Sequence, residues 1–294
     1  MLYQIGNTIG PYTIFRELGG GAFGEVYLVE WNSKKGKKQG ALKIINDPKF
    51  KEILKEVTTW ARVSYHPNIL SFFDAVEHDK QILLISEYAP DGSLVEWIRT
   101  YGGQENAVEV AVQLALGFLS RLTHLTAMTL CIAILNPQIF CTKVVRLCWQ
   151  IFGFARGLDL VQSSLLAGTL AYMSPELINV YLTRAIGTDV NYDRTEADDL
   201  WASAVTFYEM LAGHRPFKTI NDIGVSDPCP LPPHVPQELR DFVNKALHNV
   251  PFYRFPTAQD MYEALLTSWT DFKHRLLTGH VAAATDDEAV CRSR

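Results

Sequence analysis

Three closely spaced glycines near the start of the chain constrain its fold more than any other feature. Gly19, Gly21 and Gly24 give the spacing G-x-G-x-x-G, and the run E-V-Y-L-V follows at residues 25–29. In a dinucleotide-binding fold such glycines open a helix, and an acidic residue follows about 20 residues later. Because strand-forming residues flank the glycines here, the pattern predicts a β-hairpin. Taken alone, a glycine hairpin is more often an ordinary turn, but glycines also let backbone N–H groups approach phosphate oxygens.

Residue periodicity predicts a sheet in the first third of the chain and helices in the rest. β-Branched and aromatic residues broken by glycine turns predict antiparallel strands at 12–18, 25–31, 40–45 and 81–86. Apolar residues at helical spacing predict helices at 51–64, 94–100, 108–123, 197–211, 236–246 and 258–268. We therefore predict an α+β, bilobal fold with an antiparallel β small lobe at 11–88 and a mainly helical large lobe at 89–268. A tail at 269–294 should form a short helix and be partly disordered.

Composition narrows the range of partners. The 32 acidic and 27 basic residues leave a net charge of −5, which offers no basic face for nucleic acid. No run reaches the roughly 18 to 20 apolar residues that a membrane helix needs, so we expect no membrane segment. The chain has five cysteines, an odd number, and their spacing does not match that of a disulfide framework. This favours reduced thiols in a cytoplasmic setting.

Further motifs follow the hairpin in a fixed order. The chain reads A-L-K at 41–43, G-T-L-A-Y-M-S-P-E at 168–176, D-L-W at 199–201 and Y-E-M-L-A-G at 208–213. With the glycine hairpin, this order resembles the protein kinase superfamily over residues 11–267. The G-T pair at 168–169 resembles the Ser/Thr protein kinase type.

The resemblance implies an ATP site on the small lobe. The residues expected to contact the nucleotide are Leu18, Gly19, Gly21, Gly24, Val26, Ala41, Lys43, Ser86, Glu87 and Ala89. The backbone of Glu87 and Ala89 would hydrogen-bond the adenine. Ser86 occupies the gatekeeper position, where its small side chain should leave a back pocket open.

Two charged side chains complete the part of the site that the resemblance assigns to the small lobe. Lys43 would neutralise the α and β phosphates, as the strand lysine does in protein kinases. Glu56 is the expected partner that orients Lys43. Glu52 lies one helical turn earlier on the same predicted face and remains the alternative.

The acidic groups that carry phosphoryl transfer are missing between these landmarks. Where the family shows H-R-D-L-K-x-x-N, residues 131–140 read C-I-A-I-L-N-P-Q-I-F, and where it shows D-F-G, residues 151–153 read I-F-G. Ile134 therefore occupies the catalytic Asp position, while Gln138 and Ile151 occupy the metal-binding positions. Isoleucine can neither accept a proton nor bind Mg²⁺, and one neutral amide oxygen is a poor substitute. Mg²⁺ is expected for the family, but its ligands are absent from the chain as written.

The genetic code offers an explanation for this gap. Reading the last base of each codon with the first two bases of the next permits H-R-D-L-K-P-x-N across residues 131–139. The same frame gives L-A-D-F before residue 153 resumes the family pattern. In addition, residues 111–158 contain no Asp or Glu. We therefore expect a one-base loss near codon 125 and a one-base gain near codon 152, either in the gene or in its recorded sequence. The alternative is that residues 130–135 form a genuine buried helix or strand.

Two functions follow from the resemblance. The first is ATP-dependent phosphoryl transfer to Ser/Thr hydroxyls of a protein substrate, with the chain as written catalytically impaired. The second is an ATP-binding pseudokinase that acts as a scaffold for a partner protein. A small-molecule phosphotransferase lacks support, because the segment at 168–176 is typical of enzymes that dock a protein. The resemblance also implies two structural roles, an ion pair of Glu176 with Arg254 and a loop-capping role for Asp199.

Overall fold

The computed structural model describes most of the chain. The described residues are 3–21, 24–34, 36–45, 57–58, 61, 70–79, 81–90, 93–127, 140–141, 146–147, 170–192 and 195–291. They divide into two compact units. The first contains the described residues up to Glu96 and those between 137 and 167, and the second contains those at 97–136 and from 168 onwards.

The first unit contains a six-stranded antiparallel sheet. Its strands are β1 (Thr8–Ile9), β2 (Tyr12–Gly21), β3 (Gly24–Ser33), β4 (Gly36–Ile45), β5 (Phe72–His78) and β6 (Gln81–Ser86). They lie in the order β1-β2-β3-β4-β6-β5. A separate short pair joins β7 (Phe140–Cys141) to β8 (Arg146–Leu147).

The four predicted strands are confirmed, and so is the glycine hairpin. β2 pairs with β3 in antiparallel register, with Gly21 opposite Gly24. Gly21 is the last residue of β2 and Gly24 is the first residue of β3, so these glycines connect two strands and do not open a helix. The structure adds β1 and β5, which were not predicted. The helix predicted at 51–64 lies largely outside the described residues.

The second unit is helical. Helix α1 (Leu94–Tyr101) spans the division at residues 96–97. The other α-helices are α2 (Val108–Ala127), α3 (Pro175–Ala185), α4 (Glu196–Ala212), α5 (Gln237–Ala246) and α6 (Ala258–Cys291). Helices α1, α2, α4, α5 and α6 confirm the helices predicted beyond residue 93, whereas α3 was not predicted. Helix α6 continues without interruption from Ala258 to Cys291. The boundaries of the lobes and the tail remain predictions.

Helix α4 lies at the centre of the second unit. Its residues from Asp198 to Leu211 are all buried. Thr195 and Asp198 form a capping box at its N-terminus, and Gly213 ends it in the left-handed conformation with φ 74°. The rest of the core comes from apolar faces of α2, α5 and α6 that pack around this helix. None of the described helices combines the length and apolarity needed to cross a membrane.

Candidate functional site

The register of the sheet brings several predicted site residues onto one face. Directly opposed residues of antiparallel strands project to the same side of a sheet, and successive residues alternate. Two rows cross the strands on this side, one containing Gly19, Val26, Lys43 and Leu84 and the other containing Leu28, Ala41 and Ser86. We call this side, which carries Val26, Ala41, Lys43 and Ser86, the site face.

The opposite side of the sheet forms the core of the first unit. Its buried apolar cluster contains Ile9, Tyr12, Ile14, Tyr27, Val29, Leu42, Ile44, Leu83 and Ile85. The alternation explains why Leu42 is completely buried while its neighbours Ala41 and Lys43 are only partly so. Packing on one side therefore fixes which residues the other side presents.

Ser86 and Glu87 lie at the end of strand β6. The Ser86 side chain is buried, lies opposite Ala41 and donates from Oγ to the Glu87 carbonyl at 3.3 Å. The Glu87 N–H donates to the Ser71 carbonyl at 2.8 Å, and the Glu87 carboxylate accepts from the Ser71 N–H and Oγ at 3.2 and 3.0 Å. The carboxylate is therefore occupied within the fold, and the Glu87 carbonyl has a second lone pair for the predicted adenine contact.

Strand β2 contributes an interaction that the sequence did not suggest. Arg16 donates from Nη2 to the Tyr88 hydroxyl at 2.6 Å. Arg16 lies opposite Leu28 and so belongs to the second row of the site face. Leu18, predicted to cover the adenine, falls at an irregularity in the register between Glu17 and Gly19.

The predicted partner of Lys43 and the predicted catalytic and metal-binding positions do not belong to the described part of the chain. Glu56, Ile134, Gln138 and Ile151 all lie outside the described residues, and so does most of the segment assigned to the shifted reading frame. Within the described part of the chain, no group of three His, Cys, Asp or Glu side chains is arranged to hold a metal ion. The site face fits the base and phosphates of a nucleotide, since small and apolar side chains adjoin one lysine. A Mg²⁺ site cannot be assigned to these residues.

In the second unit, the predicted ion pair between Glu176 and Arg254 is confirmed. Glu176 lies in the first turn of α3, and Arg254 follows a 3₁₀ turn at Pro251–Tyr253. Both distal nitrogens of Arg254 contact the Glu176 carboxylate at 3.0 Å. Asp199 is fully buried in α4, but the loop that it is expected to cap lies outside the described residues.

Ser174, which replaces the usual alanine of the family motif, caps helix α3 and reaches helix α4. Its Oγ accepts from the Leu177 N–H at 3.1 Å and donates to the buried Asp198 carboxylate. The same carboxylate accepts from the Tyr192 hydroxyl at 3.0 and 3.1 Å and from the Thr195 N–H at 3.1 Å. Asp198 therefore joins the start of α3, the start of α4 and the loop between them.

A second buried carboxylate lies further along α4. The Tyr172 hydroxyl donates to Glu209 Oε2 at 2.5 Å, and Arg215 Nε donates to Glu209 Oε1 at 3.2 Å. Burial raises the pKa of Glu209 above its ordinary value, although the hydrogen bonds from Tyr172 and Arg215 oppose that rise. Burial and the adjacent carboxylate also raise the pKa of Tyr172, so its hydroxyl remains a donor.

Comparison with known proteins agrees with this geometry. The family model for the protein kinase domain matches residues 12–267. Aurora kinase B from Mus musculus is 27% identical over 273 residues, covering 86% of this chain and 72% of the relative. Serine/threonine-protein kinase PrkC from Bacillus subtilis is 26% identical over 280 residues, covering 88% of this chain and 41% of the relative. The chain thus spans less than half of that longer protein.

The solved structures give the same result for the fold. A double mutant of the Mycobacterium tuberculosis PknI kinase domain matches with a TM-score of 0.66 and 25% identity. The match covers 91% of this chain and 99% of the PknI chain.

Proposed function

The chain belongs to the Ser/Thr protein kinases, and from that premise we propose that its site face binds ATP for phosphoryl transfer to Ser/Thr hydroxyls of a protein. We propose further that the chain as written is catalytically impaired. The observation that carries ATP binding is the placement of Val26, Ala41, Lys43 and Ser86 on one side of the sheet by the strand register.

The two rows suit different parts of a nucleotide. Leu28, Ala41 and Ser86 form a small, mainly apolar surface of the kind that a purine base contacts. Lys43 is two residues along β4, which corresponds to about 7 Å, and its ammonium group supplies the positive charge that phosphates require. Gly19 lies in the row of Lys43 and permits close approach of the backbone.

The proposed impairment follows from side-chain chemistry at three positions. Ile134 has no atom that could accept the proton of an attacking hydroxyl, and Ile151 has none that could bind Mg²⁺. Gln138 offers one neutral oxygen. Without a metal ion to bridge the phosphates, a bound nucleotide should remain unreacted.

Restoring the reading frame tests both parts of the proposal. One base is inserted near codon 125 and one is removed near codon 152, and the restored protein is compared with the chain as written. Both proteins should bind ADP, but only the restored protein should transfer labelled phosphate to a general Ser/Thr substrate such as casein. The substitution Lys43→Ala in the restored protein should abolish transfer. Transfer by the chain as written that depends on Lys43 would refute the impairment, and failure of both proteins to bind ADP would refute the nucleotide site.

A scaffold function is the second candidate. It is favoured by the intact contacts around α3, where Glu176, Arg254 and Ser174 hold the segment that the family uses to dock proteins. Sequencing the transcript across codons 120–155 separates the two functions. If the frameshifts vanish on sequencing, the protein is an ordinary Ser/Thr kinase. If they persist in the transcript, the product is the impaired chain, and a scaffold for a partner protein is then the function that we propose for it. We propose a cytoplasmic location in either case, on the basis of the odd number of cysteines.

A further inference from the structure

We infer that Arg16 and Tyr88 are positioning residues for adenine. Their hydrogen bond fixes the backbone of residues 87–89 to strand β2 and thereby increases the affinity for the base. The inference rests on the proposed function, because it assumes that the site face is where the nucleotide binds. It adds a role for two side chains outside the predicted set of site residues.

A bulge in β2 directs Arg16 to the site face. Ile14 lies opposite Val29 and is buried in the core cluster. Strict alternation would place Arg16, two residues later, on that same core side. The register instead shifts between them, so that Arg16 lies opposite Leu28 on the site face. One extra residue in a strand re-aims the side chains that follow it, and here it brings a guanidinium to the row of Ala41.

Tyr88 lies in the short segment that follows strand β6. On one side this segment is held by Ser71, through the Glu87 N–H at 2.8 Å and the Glu87 carboxylate at 3.0 and 3.2 Å. On the side of β2 it is held by Arg16, whose Nη2 donates to the Tyr88 hydroxyl at 2.6 Å. The two attachments are at Glu87 and Tyr88, which directly precede Ala89, so they restrain the segment that carries the predicted adenine contacts.

The consequence for binding is preorganisation. A backbone segment that is already held in its binding conformation loses less conformational entropy when the ligand arrives. Arg16 is exposed, so its hydrogen bond contributes modestly, and losing it should weaken binding by about two- to fivefold. Arg16 lies in the row of Ala41 and not in the row of Lys43. The loss of affinity should therefore come from weaker binding of the base, and it should be the same whether or not the ligand carries phosphates.

Calorimetric titration of the full chain with adenosine and with ADP tests this assignment. Tyr88→Phe, Arg16→Ala and the double variant should each weaken both ligands by the same factor, about two- to fivefold. The double variant should be no weaker than either single variant, because all three lack the same hydrogen bond. Gln39→Ala is the matched control, since it breaks another exposed cross-strand pair, Gln39 with Glu30 at 2.8 Å, and should change neither affinity.

Two results would overturn the assignment. One is wild-type affinity in both single variants, and the other is a loss seen with ADP but not with adenosine, which would mean that the guanidinium binds phosphate. If the wild type binds neither ligand, the nucleotide site itself fails. Hydrogen exchange then decides the positioning role alone. The amides of Tyr88 and Ala89 should exchange faster in Tyr88→Phe and Arg16→Ala than in the wild type, and unchanged exchange would refute it.

Discussion

Arg254 and Glu176, which are 78 positions apart, form a bidentate ion pair with both N···O distances at 3.0 Å. Arg254 also donates to the His248 carbonyl at 2.7 Å and to the Asn249 carbonyl at 3.0 Å, so all three guanidinium nitrogens are engaged. The guanidinium lies 4.6 Å from the centre of the Trp201 ring. The side chain of Arg254 is 5% exposed and that of Glu176 is 31% exposed. Because Arg254 is buried from water, its positive charge is compensated mainly by the Glu176 carboxylate.

Glu176→Gln should lower the free energy of unfolding by about 2 to 4 kcal/mol, because it leaves a buried guanidinium without a counter-charge. Denaturant unfolding measures the change. Glu109→Gln serves as the control, since it removes the Glu109–Lys273 pair, whose side chains are 52% and 49% exposed. That change should be below about 1 kcal/mol. Equal losses in the two variants would contradict the role assigned to Arg254.

The carboxylate of Asp198 gives a second prediction. Asp198→Ala removes the acceptor for Ser174, Tyr192 and the Thr195 N–H, and should lower the free energy of unfolding by about 3 kcal/mol. Tyr192→Phe removes only one donor and should cost about 1 kcal/mol. In the Asp198→Ala background, Tyr192→Phe should cost little more, because its partner is already absent. Additive losses would show that the hydroxyl of Tyr192 does not act through Asp198.

Local signals predicted those elements whose patterning is periodic. Strand β6 was predicted at 81–86 and observed at Gln81–Ser86, because four consecutive apolar residues at 82–85 form its interior. Helix α3 was missed, although Ser174 as N-cap followed by Pro175 is a recognised start signal. Strand β5 was also missed, since its sequence F-F-D-A-V-E-H lacks clean alternation.

The site shows a different limit. The Glu176–Arg254 pair was predicted only through the family resemblance, because no local pattern joins positions so far apart. The Ser174–Asp198 contact, 24 positions apart, carries no local signal either. Arg16 was missed for another reason, since a bulge that is invisible in the sequence changes the face to which its side chain projects.

The raised pKa of Glu209 predicts a pH-dependent stability. In the folded state the carboxyl binds its proton more tightly than in the unfolded state, because burial disfavours the ionised form. The resulting stabilisation is complete below the ordinary pKa of 4.5 and is lost as the pH rises through the higher folded value. Tyr172 stays protonated throughout this range, because its pKa is raised as well.

Glu209→Gln removes this titration and supplies the comparison. Relative to the wild type, the variant should become progressively more stable as the pH is raised from 4.5, and the difference should level off above the folded pKa. Urea unfolding of both proteins between pH 4.5 and about 7.5 measures the difference. A difference that stays constant over this range would mean that Glu209 is not perturbed.

Gly213 should be intolerant of any side chain. It adopts φ +74° at the end of α4, and a Cβ atom there would lie 2.8 Å from the Gly102 carbonyl oxygen. Gly187 is the matched control, because it has φ +87° with nothing within 4 Å of an added Cβ. Gly187→Ala should cost about 1 kcal/mol from backbone strain alone. Gly213→Ala should cost about 1 to 3 kcal/mol more, from the clash with backbone that cannot move aside. Equal losses in thermal or denaturant unfolding would rule out the steric contribution.

Ser86 should control which adenine-like ligands fit the site face. Its side chain is buried opposite Ala41, so Ser86→Met places two additional heavy atoms into the space beside the predicted base position. Overpacking of about 1 to 3 kcal/mol should weaken bulky inhibitors that extend past Ser86 by about tenfold or more. ADP should lose no more than about threefold, because its base is expected to bind the backbone of Glu87 and Ala89. Ser86→Ala is the control, since it loses the 3.3 Å hydrogen bond to the Glu87 carbonyl but adds no volume, and should leave the bulky inhibitors bound. If Ser86→Met and Ser86→Ala bind these inhibitors equally well, the space beside Ser86 does not form part of the nucleotide site.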